Sequence, residues 1–185
     1  MENRYMGVSA LSWAQLEKEE VEVTPKKSGK FLLSDGKEVE VIEGKKVMMP
    51  RWAVSELPEV FDSLQKNLVI KDVALAAWME ENDPKSLKKI DSLFYARSAY
   101  ELRNAEQKEL RATLSELLSV RKRKIMEAAM SGRDDAAFYS AMTPEEKRFY
   151  DDLKAYVDEW GEFLVMILSG LSPLDKKGAN EENGD

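Results

Sequence analysis

The chain has 185 residues, 43% hydrophobic and 34% charged, a balance that excludes a disordered or fibrous protein and suits one ordinary domain or two small ones. Its net charge of −7 and pI near 5.0 argue against holding nucleic acid with the whole surface, since that needs clustered Lys and Arg. Neither Cys nor His occurs, which removes the ligands of structural zinc and iron–sulfur clusters and the residues of Cys- or His-dependent hydrolysis.

The first residues, Met1-Glu-Asn-Arg-Tyr-Met-Gly7, lead into no apolar h-region, so they do not read as a signal peptide. The longest apolar run, Phe163-Leu-Val-Met-Ile-Leu168, is too short to span a bilayer. Together with the lack of Cys, these features predict a cytoplasmic protein without a membrane contact.

Between about residues 20 and 50 short β segments follow one another: Val21-Glu-Val23, Phe31-Leu-Leu33, Val39-Glu-Val-Ile42 and Val47-Met-Met49. Pro25-Lys-Lys-Ser-Gly29, Ser34-Asp-Gly36 and Glu43-Gly44 separate them, and Asp-Gly between apolar segments marks a hairpin because both residues tolerate positive φ. A small antiparallel sheet is expected. Pro50 then stands where a short helix, Arg51 to Leu57, can begin before Pro58.

From about residue 60 to 168 the apolar period changes to about 3.6, the signature of helix. One helix runs through Asp72 to Met79 and ends near Asn82-Asp-Pro84, where the proline disfavours helix in the residue before it. A second is expected to open near Ser86 and continue through Ile90, Leu93, Phe94, Tyr95 and Tyr100 to about Arg103. A third, from about Ala105 to Met130, sets Leu110, Leu114, Leu117, Leu118, Ile125 and Ala128 on one stripe, with Ser131-Gly132 as its C-cap. The last starts with Thr143 as N-cap, Pro144 at the first helical position and Glu146 completing a capping box. Its apolar face is Phe149, Leu153, Tyr156, Val157, Trp160, Phe163, Leu164 and Ile167. The polar stretch after Ser172-Pro173 is expected to be disordered. The chain thus reads as α+β, mainly α with a small β-rich N-terminal domain (1–61), a helical bundle domain (62–170) and a tail (171–185).

Candidate sites are sparse. Arg121-Lys-Arg-Lys124 is a candidate basic patch for a phosphate or an acidic partner, yet four consecutive helical residues spread over roughly 300° and share no face. The same charges near a helix C-terminus suit the macrodipole. Lys26, Lys27, Lys30, Lys45 and Lys46 decorate the expected hairpins, where Lys commonly blunts strand edges. The acid pairs Glu19-Glu20, Glu80-Glu81, Asp134-Asp135, Glu145-Glu146 and Asp151-Asp152 lie in polar surroundings and are expected to be solvated surface. The nine glycines are scattered and form no phosphate loop, so neither a nucleotide cofactor nor any other is expected. Leu93, Phe94, Tyr95, Ala96, Ala99, Tyr100 and Leu102 cover more than one face of their helix, which requires burial on several sides, within the chain or against a partner helix.

Met49-Pro-Arg-Trp-Ala-Val-Ser-Glu-Leu57, the helix led by Phe94-Tyr95, Leu117-Leu-Ser-Val-Arg-Lys-Arg-Lys-Ile125 and Met142-Thr-Pro-Glu-Glu146 together resemble the GINS subunits of archaeal and eukaryotic replication. The resemblance covers roughly residues 20 to 165, and the order of a small domain before a helical one resembles the small-domain-first, Psf-type subunits, a single subunit in archaea. The first twenty residues, with Leu11, Trp13 and Leu16, depart from it, since the small module would otherwise begin almost at once. The resemblance implies a non-enzymatic scaffold in a heterotetramer, a dimer of dimers with another GINS subunit, that bridges the MCM helicase and a RecJ-like or Cdc-type factor. It places Phe94, Tyr95, Tyr100, Leu114, Leu117, Leu118 and Ile125 in the intersubunit bundle or helical core, and Pro50, Arg51 and Trp52 as anchor of the small domain, with Trp52 buried against its sheet. It implies a nucleoid-associated location, or a nuclear one in a eukaryote. The rival reading is a free-standing nucleic-acid-binding or regulatory homodimer that uses the Lys-decorated sheet; a weak DNA contact is compatible with either.

Overall fold

The computed structural model describes residues 4–61, 70–104, 108–133 and 135–170. The disordered tail, the domain boundary at 62, the start of the third helix at 105 and Asp134 fall outside the described residues.

The chain opens with a helix that the sequence did not announce, α1 (Arg4–Glu17). Leu16 is fully buried against Leu93 and Ala96, with Trp13 and Tyr100 packed alongside. Within the departure noted at the start of the chain, α1 packs on the helical half rather than on the strands that follow it.

The strand module comes next. β1 (Glu20–Val23) pairs antiparallel with β4 (Val47–Pro50), Glu20 opposite Pro50 and Val23 opposite Val47. β2 (Gly29–Leu32) pairs with β3 (Glu38–Val41) in the hairpin between them. The expected single sheet is two separate two-stranded ribbons. At the hairpin tip Gly36 takes φ +83 and donates to the Leu33 carbonyl at 2.9 Å, while the Asp35 side chain accepts from the Lys37 N–H at 3.0 Å. Two-stranded ribbons are marginal in isolation. Here a short helix, α2 (Arg51–Glu56), covers them: Ala53, Val54 and Leu57 pack with Val23, Leu33, Val41, Met49, Val60 and Phe61 in one apolar cluster. Pro50 ends β4 and, at φ −63, serves as N-cap of α2. Trp52, expected to be buried, is half-buried on this cluster.

The helical half comprises α3 (Ile70–Asn82), α4 (Phe94–Asn104), α5 (Lys108–Met130), α6 (Ala136–Ser140) and α7 (Pro144–Leu168). α5 is the axis on which two cores are strung. Its first half buries Leu110, Leu114 and Leu117 against Val73, Ala77 and Phe94. Its second half buries Ile125, Ala128 and Ala129 against Leu87, Phe138, Ala141, Met142 and Tyr150. The expected stop is in place: Gly132 at φ +64 donates to Ala129 O at 3.2 Å and Arg133 to Ala128 O at 3.0 Å, the Schellman pattern. α6 was not expected; Asp135 caps it by accepting from Ala137 and Phe138 at 2.9 and 3.1 Å.

One helix start differs. The helix expected from Ser86 begins at Phe94, and residues 84–93 are irregular. The reason lies in where their carbonyls point. Lys124 donates to Asp83 O and Ser86 O, Arg121 to Lys88 O and Arg133 to Lys85 O, at 2.6 to 2.9 Å. Carbonyls engaged by cations from α5 and its C-cap are lost to a local helical ladder.

Candidate subunit interface

The largest departure from expectation is polar. Arg121 sits on the apolar stripe of α5, four residues from Leu117 and four from Ile125, and is completely buried. Its Nε and Nη2 clamp the two carboxylate oxygens of Glu146, both at 2.7 Å, and its Nη1 reaches Glu80 at 2.5 Å. Lys124, one turn further, donates to the other Glu80 oxygen. The Tyr95 hydroxyl donates to Glu146 at 3.2 Å, and the Thr143 N–H to Glu146 at 2.9 Å. Two cations thus balance two carboxylates, each supplied with hydrogen bonds, which is the condition under which buried charge is tolerated. Burial opposes the Arg121 charge, but the Glu146 carboxylate outweighs it and holds the guanidinium above its ordinary pKa. Burial first, and the Glu146 charge second, push the Tyr95 phenol well up.

This arrangement corrects two expectations. Arg121-Lys-Arg-Lys124 is not a basic patch: Arg121 and Lys124 are interior and only Lys122 and Arg123 face solvent. Glu80, Glu145 and Glu146 are not solvated surface but buried, Glu80 at 0% exposure. The position of Arg121 on the leucine stripe was a readable signal, because a cation at the spacing of core residues needs acid partners. Which acids answer it is a matter of tertiary contact.

A second charge seam joins the strand module to the helices. Glu19, just after α1, accepts from Arg51 of α2 at 2.7 Å and from Arg97 of α4 at 2.5 and 2.9 Å. Arg97 also reaches Asp91 at 2.5 Å. The Arg97 hydrogen bond is the main cause that lowers the Glu19 carboxyl to about 2. Arg51 is buried and stands 5.3 Å from the Tyr100 ring, so of the Pro50-Arg51-Trp52 group Arg51 lies at the joint while Trp52 stays with the strand core.

The remaining candidate residues divide by burial. Phe94, Leu114, Leu117 and Ile125 are buried within this chain, whereas Tyr95, Tyr100 and Leu118 are half-buried. α4, apolar on several faces, finds cover inside the chain: α1 closes one side and the Phe94 cluster the other. The uncovered apolar surface lies on α7. Beyond Leu153 this helix exposes Tyr156, Trp160, Phe163, Leu164, Val165, Ile167 and Leu168, with Trp160 60% exposed and its ring 5.3 Å from that of Phe163. α3 adds a smaller exposed group, Leu75, Trp78 and Met79. Contiguous exposed apolar surface of this kind marks an interaction site. Among the described residues no group of three or more acids is placed to hold a metal ion, and no helix is long and apolar enough to cross a membrane. What the geometry offers is contact surface.

A search of curated proteins gives no match. The family model of the GINS complex protein helical bundle domain, Sld5, matches residues 70–162, from the first residue of α3 to the exposed aromatic stretch of α7. That span is half of the chain and contains the whole ion cluster with both α5 cores, and the chain therefore belongs to the GINS helical-bundle family.

Proposed function

We propose that this chain is a non-catalytic scaffold subunit of a GINS complex, of the small-domain-first type, acting in DNA replication. The observation that carries this reading is the C-terminal half of α7: a helix capped and locked at its start that then leaves Tyr156, Trp160, Phe163, Leu164, Ile167 and Leu168 uncovered. A second GINS subunit is the natural cover. The strand module at 20–61, ahead of the bundle, supports the domain order. In this reading the assembled complex couples the MCM helicase to a RecJ-like or Cdc-type factor, and the protein works beside the chromosome, in the nucleoid or the nucleus.

Of the two places the resemblance allows for its helical residues, intersubunit bundle or helical core, the buried ones take the core. Leu114, Leu117 and Ile125 serve the core of this chain, and Trp160, Phe163, Leu164 and Ile167 serve the partner. The test is co-expression with a GINS subunit of the opposite domain order, followed by size-exclusion chromatography with light scattering. The expected result is a stable four-chain complex that Trp160→Ala with Phe163→Ala disrupts. A monodisperse monomer that ignores the other subunit overturns the reading.

The rival, a sheet that reads nucleic acid, loses support from the charge pattern of the strand module. Lys46 pairs with Glu22 at 2.7 Å, Lys37 with Asp35 at 3.0 Å and Lys30 with Glu40 at 3.8 Å, so its lysines sit in a mixed-charge surface rather than a basic field.

A further inference from the structure

A groove of about 380 Å³ opens between α1, α4, α5 and the first turns of α7. Tyr95, Leu118, Ile125 and Phe149 line it, together with Glu145, Glu146 and Lys122. Glu146 is fully engaged with Arg121, Tyr95 and Thr143. Glu145 is not. It is 9% exposed, its Oε1 accepts from Ser12 Oγ at 2.7 Å, and its Oε2 is buried without a hydrogen-bond partner. Because the neighbouring cluster of Glu80, Arg121, Lys124 and Glu146 is already neutral, Glu145 and the exposed Lys122 are the remaining charged residues lining a groove whose other walls are largely apolar.

An occupant that satisfies both features has an apolar stem and a cationic head. An arginine or lysine side chain fits, since its methylenes lie along apolar walls while its head reaches a carboxylate. The source follows from continuity. Phe149 lines the groove and, at helical spacing, begins the row Leu153, Tyr156, Trp160 and Phe163 on α7. A chain laid along the uncovered half of α7 meets the groove at the other end of the same row. We propose that the groove receives an arginine or lysine side chain of the GINS subunit that packs along α7, and that this side chain pairs with the Glu145 carboxylate. The inference rests on α7 being the subunit interface.

The test uses the full chain and the GINS subunit of opposite domain order from the same source, with Kd measured by isothermal titration. Glu145→Gln keeps the shape and removes the charge; it is expected to weaken binding by about tenfold or more. Lys122→Glu, an exposed change at the same groove, is expected to tighten binding because it replaces a repelling charge by an attracting one. Should Glu145→Gln fail to fold, Lys122→Glu decides alone. An unchanged Kd in these variants, while Trp160→Ala with Phe163→Ala still weakens binding, overturns the groove proposal and leaves the interface standing. Weakening by Glu145→Gln but not by the aromatic pair overturns the α7 interface and with it this proposal, because the side chain would then come from a chain that does not lie along α7. No complex with the unaltered chain overturns both.

Discussion

The two ends of α7 invert the usual rule of burial. Its first turn, Pro144 to Lys147, is rich in charge and holds two buried carboxylates; its last three turns are rich in aromatic and aliphatic residues and stand in solvent. Charge inside and hydrophobe outside is costly at both ends unless each has a partner. For the first turn the partners belong to this chain: Arg121 from α5, Thr143 from the cap and Ser12 from α1. For the last turns no described residue serves. The helix start is therefore positioned by the fold, and the helix end is displayed by it.

Breaking the first end carries the largest expected effect. Arg121→Met leaves Glu146 and Glu80 buried with only Lys124 to compensate, and unfolding in urea is expected to lose about 3–5 kcal/mol of stability. A loss under about 1 kcal/mol would mean that the cluster is wetter and looser than its geometry implies. Thr143→Ala acts on the same turn through the cap alone, with an expected cost of about 1 kcal/mol by the same measurement.

The seam at Glu19 gives a milder, pH-dependent contrast to the sealed cluster. Its folded carboxyl titrates near 2 instead of the ordinary 4.5, so its contribution is complete above about pH 4.5 and disappears as pH falls from there toward 2. Thermal melts across that window should show Glu19→Gln flattening this part of the pH profile; an unaltered slope would assign the acid sensitivity to other carboxylates. The smallest effect belongs to the open end of α7. Phe163→Ser is expected to change the stability of the lone chain by less than about 0.5 kcal/mol while weakening assembly. A large loss in the lone chain would show that the exposed face is covered within the monomer.

Resemblance apart, much of the fold was legible because its signals are local. The Asp35-Gly36 turn, the Gly132 stop and the Thr143 to Glu146 capping box each depend on residues within about five positions, and each forms as the spacing dictates. The α5 stripe was legible for the same reason, since side chains three and four apart share a helix face. The candidate interface was half legible. The apolar row of α7 was plain in the sequence, but whether a row faces a core or a partner depends on what the rest of the chain leaves over.

What the sequence by itself determined is the order of the parts: strands bounded by turn residues, then helices whose period, caps and stops are written within a few neighbouring positions. What only the tertiary structure decided is which charges go inside and which hydrophobes stay outside. Arg121 meets Glu80 across 41 residues of chain and Glu146 across 25, and Arg121, Lys124 and Arg133 engage the carbonyls around residues 83–88 that a helix there would need. Pairing at such separations depends on how helices are placed against one another, which no local spacing encodes. The bare half of α7 has the same origin, because α1, α3, α4 and α5 cover one another and Leu16, Phe94 and Leu117 close the cores before the end of α7 is reached.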